Sequence, residues 1–582
     1  MSKVKSLEKE VKEIYLECGY EIEEVILCPS NRPDLGEYQL NDAMKLAKIY
    51  HKSPIVIANE IMEKLKTNSK FNSVNIAGAG FINISLSEEF LIDFLNEIKD
   101  DPKSNIDLMP KKKIMLDYGG ANIAKALHVG HLRPANIGEA VKRLAILLGI
   151  DTIADVHFGD SGLQSGIVIL EMKERYPDLI CFNNNYNGED FTLPITNADL
   201  SIIYPTGSKK TKENDELLEE AREITLQIQK GHIGYIKLWE KISEISMSSI
   251  KEMYNKLNTK FDLLEGEIDS YQYIPELIKE FEKKNLLYMS EGAKVMDVKK
   301  DSDTLEIPPI IIEKSNGAYM YGTTDLATIY GRMKRFNPDE IWYFTDIRQS
   351  LHFTQVFRAA EKSEIINKNT ILEFYGNGTI NGSDGKPFKT RDGGVMELKE
   401  LIDIVQKEIE KRINHNIVSS DKVEETVNIL TVGALKYADL TISRSSDYIF
   451  DPLKFSDFEG KTGPYLAYST IRIKSLLNKA KEERIEYNTY KSIKNDTDKD
   501  ILLTLLELPN ILNKGLSNKS LNEIADYIYK LTSLYNKFYS ENRILTEENK
   551  NLQESWLVLS SIVYKTNLML LNILGIECPE KM

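Results

Sequence analysis

The spacing of hydrophobic and polar positions divides the chain into three parts. In residues 1–108, helical spacing alternates with a strand-like run from Val74 to Leu86 that contains Gly78 and Gly80. The helical stretches cover about 3–18, 39–50 and 54–66. This mixture predicts an α+β module at the start of the chain.

The second part opens with a strand, a helix and another strand. Apolar runs from Ile114 to Tyr118 and from Ile150 to Phe158 predict two buried strands. The helix between them ends near Leu148, with Gly149 as its stop signal. A β-α-β unit predicts neighbouring parallel strands with a helix packed against them, as in Rossmann-like folds.

Further along, the second part contains an insertion between the halves of the predicted sheet, at about 167–300. Asn, Gly, Thr and Pro are frequent over 183–215, which predicts a loop, and charged helical spacing covers about 209–258. The next elements are a β-hairpin around Asn316-Gly317, with strands at Pro308 to Ile312 and Ala318 to Gly322, a short strand at 341–344 and a helix from about Ser350.

The third part, about 453–582, has helical spacing almost throughout and predicts an all-α domain. No run of 18 consecutive apolar residues occurs, because the longest candidate, Leu557 to Ile576, is interrupted by Lys565 and by asparagines. We therefore expect no membrane-spanning segment. The amphipathic runs cover about 463–483, 498–513, 520–539 and 551–573.

Composition narrows the class of protein. A chain of 582 residues with 42% hydrophobic residues is long enough for several domains, each with its own core. The charged amphipathic start lacks the apolar centre of a signal peptide. The net charge of −15 is unfavourable for RNA binding, although a basic track on one face is compatible with it. The four cysteines are Cys18, Cys28, Cys181 and Cys578. They are too scattered for a disulfide framework or a zinc site, which predicts a reduced protein of the cytoplasm.

The most informative stretch is His128-Val129-Gly130-His131, at the start of the predicted helix of the β-α-β unit. Free backbone N–H groups and the helix dipole favour a phosphate at a helix N-terminus. Imidazoles on both sides of Gly130 can donate to that phosphate, and the glycine lets a flat base approach the backbone. The arrangement indicates nucleotidyl transfer from ATP. For the tetrapeptide alone, two histidines with ordinary core or surface roles are the alternative.

Residues around this turn resemble one family. His-x-Gly-His after a strand resembles the "HIGH" signature of class I aminoacyl-tRNA synthetases, which other nucleotidyltransferases share. The flanking segments resemble the arginyl-tRNA synthetase version of it: Asn122-Ile123-Ala124-Lys125 before the turn and Gly159-Asp160-x-Gly162-x-Gln164 after the second strand.

This resemblance covers nearly the whole chain and implies a multidomain α/β fold. Its parts are an N-terminal module (1–108) that contacts the D-loop side of tRNA, a Rossmann-like catalytic domain (109–452) with the insertion, and an all-α anticodon-binding domain (453–582). The implied activity is that of an arginine–tRNA ligase. It forms arginyl-adenylate from L-arginine and ATP, with Mg²⁺ carried by the ATP and no dedicated metal site, and it transfers arginine to the 2′-hydroxyl of the terminal adenosine of tRNA(Arg).

A basic loop stands where class I enzymes usually carry Lys-Met-Ser-Lys-Ser, which this chain lacks. It contains Lys386, Lys389 and Arg391 and resembles the corresponding loop of arginyl enzymes that depart from the general signature. The resemblance implies that these residues bind ATP, with Lys389 on the leaving pyrophosphate, and that Lys125 supplies a second catalytic lysine beside His128 and His131. A solvated basic turn is the alternative for the loop.

A guanidinium group pairs best with planar carboxylates, because its N–H groups form a fork. The resemblance places Tyr321, Asp325 and Gln349 on the guanidinium, Asn122 on the α-amino or carboxylate end, and Asp117 at an acidic position where many members carry Glu. For Asp325 the alternative is a helix N-cap, and both roles are compatible.

The resemblance also implies tRNA contacts at both ends of the chain. These residues are Tyr38 and Asn83 in the N-terminal module, and Tyr465, Tyr535, Tyr539 and Met582 in the helical domain. Aromatic side chains can stack unpaired bases. Core packing is the alternative for the aromatic residues, and strand polarity is the alternative for Asn83.

Some positions depart from the family pattern. Ser161 stands where Trp is common, and Lys461 and Ala467 replace Asn and Gln. These departures keep one alternative open, a tRNA-binding synthetase paralogue with altered or lost aminoacylation. A ligase for another amine or acid is a further alternative, which the anticodon-type domain disfavours. The resemblance otherwise implies a cytoplasmic monomer.

Overall fold

The computed structural model describes residues 1–386, 388, 396–414 and 416–582. Residues 1–108 form a four-stranded antiparallel sheet with helices, in the strand order β1-β2-β4-β3. The strands are β1 Cys28–Pro29, β2 Tyr38–Leu40, β3 Phe71–Ala77 and β4 Phe81–Leu86. The helices are α1 Lys3–Glu17, α2 Ala43–Tyr50, α3 Pro54–Leu65 and α4 Glu88–Ile98.

Two predicted elements of this module need correction. The single strand predicted from Val74 to Leu86 is a hairpin, because the chain turns at Gly78, where φ is +58°. The helix predicted from residue 39 begins only at Ala43. The residues before it pair with β4 instead, so sheet formation overrides the helical spacing there.

The middle of the chain is built on a parallel sheet with two smaller sheets and several helices. Its strands are β5 Lys113–Tyr118, β6 Asp151–Asp155, β7 Leu287–Ser290, β8 Ala293–Met296, β9 Ile310–Glu313, β10 Glu340–Asp346, β11 Ile371–Asn377, β12 Ile380–Asn381 and β13 Tyr448–Ile449. Its helices are α5 Leu132–Leu147, α6 Leu163–Arg175, α7 Asn197–Glu213, α8 Asp215–Gln229, α9 Ile233–Lys256, α10 Ile274–Lys283, α11 Tyr321–Phe336, α12 Ser350–Ser363, α13 Leu398–Glu410, α14 Val423–Leu440 and α15 Pro452–Phe455.

The parallel sheet has the strand order β11-β10-β5-β6, so β5 and β6 are neighbours, as the β-α-β unit predicts. Helix α5 connects them and lies against β5. Gly138 allows this close packing, because a Cβ atom there would lie 2.2 Å from Cγ of Tyr118. The carboxyl ends of β5, β6 and β10 meet at one edge of the sheet, where ligands bind in open α/β folds.

Helix α5 is buried along almost its whole length. Arg133 in its first turn donates from Nε to Oδ1 of Asp439 on α14 at 3.0 Å, and Asn136 donates to the other oxygen of Asp439 at 3.1 Å. Arg133 and Asp439 have side-chain exposures of 1% and 0%. This buried pair fixes the start of α5, and with it the residues just before the helix.

The structure differs from the prediction within the insertion and just after it. Residues predicted as loop contain α7, which begins at a capping box formed by Thr196 and Asp199 and continues through Pro205. The predicted hairpin around Asn316 is shortened to a tight antiparallel turn, in which Glu313 and Tyr319 form a bridge and the Lys314 N–H donates to the Ala318 carbonyl at 2.9 Å. Its second strand does not form, because Tyr321 already begins α11. The partner of β9 is β8, in the antiparallel sheet β7-β8-β9.

The C-terminal part is all-α, as predicted. Its helices are α16 Gly463–Glu482, α17 Asp496–Leu506, α18 Leu508–Asn518, α19 Asn522–Glu541 and α20 Lys550–Ile573. The single helix predicted over 498–513 is split in two, with Pro509 in the first turn of α18. Helix α20 is long and apolar enough to span a membrane by composition, but 72% of its most apolar stretch is buried, as in the core helix of a domain.

One hydrophobic core runs through all three parts. It contains Phe94 from the N-terminal module, Leu116 from the parallel sheet, Val141 from α5 and Leu531 from the C-terminal helices. The Tyr38 hydroxyl also reaches from the N-terminal sheet to the carboxylate of Glu507, between α17 and α18. The three parts therefore share buried surfaces.

Candidate active site

The His128–His131 turn follows the carboxyl end of β5 and leads directly into α5. His128 Nδ1 accepts a hydrogen bond from the Gly130 N–H at 3.1 Å, and His131 Nδ1 accepts one from the His128 N–H at 3.0 Å. The two rings lie with centroids 3.9 Å apart. Gly130 is required here, because a Cβ atom would lie 2.9 Å from the His128 ring.

Both histidines of this turn are held neutral. Burial lowers the pKa of His131 to about 3, with the neighbouring His128 and Lys125 adding to the effect. Burial and Lys125 also lower the pKa of His128. Because each Nδ1 accepts a backbone N–H, each ring proton resides on Nε2. The buried His131 ring also hydrogen-bonds the Gly120 backbone, whereas Nε2–H of His128 has no such backbone contact among the described residues.

The turn is tied to the end of the basic loop. The Val129 N–H donates to the Met396 carbonyl at 3.1 Å, and the Leu398 N–H donates to the Leu127 carbonyl at 2.8 Å. Lys386 is exposed in a turn closed by the Gly382 N–H on its carbonyl at 2.8 Å. The two remaining predicted phosphate ligands, Lys389 and Arg391, lie outside the described residues.

Lys125, the predicted second lysine, lies in the loop before the turn. Its neighbour Ala124 adopts a left-handed backbone with φ +58°, and Ser246 on α9 accepts the Ala124 N–H at 2.9 Å. The Lys125 ammonium lies 4.5 Å from the ring centroid of Tyr204 on α7. The insertion therefore contributes a wall of the site next to the histidines.

An acidic pocket lies at the start of α11. Tyr321 is the first residue of that helix, and Asp325 follows one turn later. Asp325 pairs with Nε2 of His352 on α12. Although burial lowers the pKa of His352, the hydrogen bond and charge of Asp325, together with Glu267, raise it overall. Gln349 is exposed in the short 3₁₀ turn that precedes α12.

Glu267 is a second acidic group of this pocket, and the sequence analysis missed it. Burial raises its pKa to about 7, with the charge of Asp325 adding to the rise and that of His352 opposing it. The Ser161 hydroxyl donates to its carboxylate. Its segment lies in the insertion and carries no motif or periodicity, so only the three-dimensional structure brings it to Asp325.

Asp117 and Asn122 lie deeper in the sheet edge. Asp117 Oδ2 is 2.7 Å from Nη2 of Arg332, a fully buried arginine that also pairs with Asp155. Burial raises the pKa of Asp117, and the charge of Arg332 opposes this. Asn122 bridges to Gly159, which joins the loops after β5 and β6. Asp117 is thus held by an arginine of the protein itself, and 16% of its side chain remains exposed.

The predicted RNA-contacting residues fall into two groups. Tyr38, Asn83 and Tyr535 are buried, with exposures of 2%, 0% and 0%, so the structure contradicts a direct contact between these side chains and RNA. The hydroxyls of Tyr38 and Tyr535 pair with Glu507 and Ser560, and Oδ1 of Asn83 accepts from Gln39, whereas Nδ2 of Asn83 is buried without a partner among the described residues. The burial of the three side chains is what core packing and strand polarity predict.

Tyr465 and Met582 belong to the second group, because they line one cavity of about 650 Å³. The Tyr465 hydroxyl accepts a hydrogen bond from Asn536 at 2.8 Å. Tyr539 is half-buried, with the Arg472 guanidinium 5.8 Å from its ring centroid. The cavity is also lined by Arg412, Tyr468 and Arg472, which the sequence analysis did not name. Tyr468 and Arg472 follow Tyr465 at helical spacing, so that spacing could have identified them.

Within the described residues, no group of three or more His, Cys, Asp or Glu side chains is arranged to hold a metal ion. The chemical groups at the sheet edge are instead two neutral imidazoles, an acidic pocket and a neighbouring lysine. They suit a ligand that combines phosphate with a cationic side chain.

Comparison with known proteins gives three family matches along the chain. Residues 95–452 match the family model of the class I tRNA synthetase (R) catalytic domain, residues 466–582 match the DALR anticodon-binding domain, and residues 4–86 match the arginyl-tRNA synthetase N-terminal domain. The arginine–tRNA ligase of Alkaliphilus oremlandii is 40% identical over 100% of this chain and 99% of its own length. That of Agathobacter rectalis is 41% identical over 99% of both.

Solved structures agree with this fold. The arginyl-tRNA synthetase of Plasmodium falciparum superposes with a TM-score of 0.82 at 25% identity, over 100% of this chain and 99% of its own. The Thermus thermophilus arginyl-tRNA synthetase gives a TM-score of 0.79 at 19% identity over the full length of both chains and supports the fold alone. The predicted fold class is confirmed.

Proposed function

Because the chain belongs to the class I arginyl-tRNA synthetases, we propose that it joins L-arginine to tRNA(Arg) in two steps at the edge of its parallel sheet. The substrates are L-arginine, ATP with its Mg²⁺, and tRNA(Arg). The main support for this proposal is that a pair of neutral histidines and a pocket with two carboxylates lie at the same edge of the sheet. The histidines suit a phosphate, and the carboxylates suit a guanidinium.

In the first step, an oxygen of the arginine carboxylate attacks the α-phosphorus of ATP, and pyrophosphate leaves. The Nε2–H groups of His128 and His131 are oriented by the backbone before the substrate binds, and they donate to phosphate oxygens as negative charge builds up, His131 by exchanging its contact with the Gly120 backbone for the phosphate. Gly130 leaves room for the adenine-bearing half of ATP. Lys125 adds a positive charge beside the histidines, and we assign Lys386, Lys389 and Arg391 to the leaving phosphates.

The acidic pocket selects the side chain of the amino acid. The guanidinium of arginine lies between the carboxylates of Asp325 and Glu267, with Tyr321 and Gln349 at its rim. A neutral or shorter side chain would desolvate these carboxylates without supplying the charged donors of a guanidinium, which disfavours its binding. Asn122 and the exposed oxygen of Asp117 hold the α-amino and carboxylate end.

In the second step, the 2′-hydroxyl of the terminal adenosine attacks the carbonyl carbon of arginyl-adenylate, and AMP leaves. We assign the cavity of Tyr465, Tyr468, Arg472 and Met582 to unpaired bases of the anticodon, with Tyr539 at its side. Aromatic and guanidinium faces accept bases there without requiring an overall positive protein. The N-terminal module contacts the D-loop side through residues other than the buried Tyr38 and Asn83.

We further propose that the protein acts as a cytoplasmic monomer, with no membrane partner and with functional units at 1–108, 109–452 and 453–582. Its four cysteines are unpaired, which is compatible with a reducing compartment. The core helix α20 is occupied by packing within the domain and so is unavailable to a membrane.

The test is charging of tRNA(Arg) and exchange of labelled pyrophosphate into ATP by the full chain, each with arginine and with lysine, ornithine or citrulline in its place. We expect both reactions to depend on arginine. Binding of tRNA(Arg) without charging by any of these amino acids would support the paralogue alternative, and charging with another amino acid would contradict the pocket assignment.

A further inference from the structure

Ser161 lies where the loop after β6 meets the acidic pocket. Its hydroxyl donates to Oε2 of Glu267, and its N–H hydrogen-bonds the same carboxylate. Glu267 is only 9% exposed, so water cannot replace both donors. A buried carboxylate keeps its charge and direction only where donors or cations face it.

Besides Glu267, the Ser161 hydroxyl contacts Tyr271. The Tyr271 side chain hydrogen-bonds to Ser161, and its hydroxyl accepts a hydrogen bond from Nε2 of Gln229 at 3.1 Å. Oε1 of Gln229 accepts the Tyr319 N–H at 3.4 Å, just before Tyr321 in the pocket. Burial raises the pKa of Tyr271 to about 12, and its contacts with Ser161 and Gln229 oppose this rise, so the hydroxyl stays protonated beside Ser161.

The other charges around Glu267 oppose one another. Asp325 and Asp160 are carboxylates that disfavour its ionised form, whereas His352 favours it. The hydroxyls of Tyr321 and Tyr271 are also close enough for Glu267 to affect their titration. The balance between the ionised and neutral forms therefore depends on the two donors of Ser161.

We propose that Ser161 is a positioning residue for arginine recognition, which holds Glu267 ionised and directed at the guanidinium. This inference rests on the proposed function, because it takes the guanidinium as the ligand of Glu267. The contribution of Ser161 is to binding rather than to the attack on phosphorus, because this residue faces the carboxylate and not the histidines.

The test compares Ser161→Ala and Ser161→Thr with the unmodified full chain in arginine-dependent charging between about pH 6 and pH 8.5. For Ser161→Ala we expect the KM for arginine to rise roughly ten-fold, with kcat and the KM for ATP unchanged. Loss of the donor favours neutral Glu267, so the acid limb of kcat/KM for arginine should move to higher pH. Ser161→Thr, which keeps the hydroxyl, should restore most of the affinity.

Ser165→Ala is the matched control, because the Ser165 hydroxyl lies four residues further on and donates at 2.8 Å to the Gly162 carbonyl rather than to Glu267. An unchanged KM for arginine in Ser161→Ala, an equal rise in Ser165→Ala, or no recovery in Ser161→Thr would overturn the proposal. If Ser161→Ala does not fold, Glu267→Gln decides, since an acid limb that persists in that variant belongs to another group. Failure of the proposed function differs from all of these, because the unmodified chain would then show no dependence on arginine.

Discussion

The signature turn and the acidic pocket belong to one active site but are held by different contacts. The turn is fixed by hydrogen bonds from its own backbone N–H groups to its two histidine rings, and by the backbone pairing of its flanks with 396–398. The pocket is assembled from side chains on separate elements: Ser161, Glu267, Asp325 and His352. A site built from consecutive residues is visible as a motif, whereas a site assembled from distant side chains is visible only in part.

The two regions also differ in charge. Burial favours the neutral form of both histidines of the turn, because it lowers the pKa of His131 to about 3 and also lowers that of His128. In the pocket, burial raises the pKa of Glu267 to about 7, so its charge changes near neutral pH. We therefore expect pH to affect recognition of arginine more than the phosphate chemistry.

The largest effect should come from removing the support of the turn. Arg133→Met leaves Asp439 buried without its partner, which should lower the free energy of unfolding by about 3–5 kcal/mol. Urea denaturation measures this change. Lys173→Met, which breaks an exposed pair with Glu220, should cost under about 1 kcal/mol. Equal stability of Arg133→Met and the unmodified chain would show that the turn does not depend on this pair.

The next effect concerns the donors of the turn. His128→Ala and His131→Ala should each slow adenylate formation by about 2–4 kcal/mol of transition-state stabilisation, with little change in the KM for arginine. Pyrophosphate exchange with tRNA present gives both constants. His232→Ala is the control, because His232 caps α9 with the same kind of Nδ1 contact, to the Tyr235 N–H at 3.2 Å. Near-normal exchange in both signature variants would remove the phosphate role from the turn.

In the pocket, Asp325→Asn should weaken arginine binding by about 1.5–3 kcal/mol, because one charged partner of the guanidinium is lost. Calorimetric titration with arginine measures this loss, and titration of the same variant with a non-hydrolysable ATP analogue is the control. Equal losses for the two ligands would instead indicate a folding role for Asp325 through its contact with His352.

The smallest expected effect is on the pH dependence of the free energy of unfolding. The pKa of His352 is raised in the folded state, so its pairing with Asp325 stabilises the fold fully below about pH 6.5, the ordinary value, and the contribution disappears as pH rises through the raised pKa. Since both groups are partly exposed, we expect His352→Gln to lose under about 1 kcal/mol in acid and nothing at high pH. A difference that grows with pH would reverse this assignment.

The sequence predicts the parts whose signals are local. The β5-α5-β6 unit, the turn before α5 and the all-α C-terminal part follow from apolar spacing and a short motif. Glu267 escapes prediction because its neighbours in the chain carry no chemistry, and α7 escapes because its polar composition and Pro205 resemble a loop. The helical spacing of Tyr535 is compatible with stacking on an RNA base and with packing in the core. Only its burial in the structure favours core packing.

The shared core around α5 has a consequence for modular exchange. Side chains of α5 pack in the same core as residues of the N-terminal module and of the C-terminal helices. An anticodon-binding domain transplanted from a relative would meet a surface shaped for other side chains, on α5 and on the module that carries Tyr38. An exchange between members of the family would therefore have to replace these packed faces together to keep the core intact.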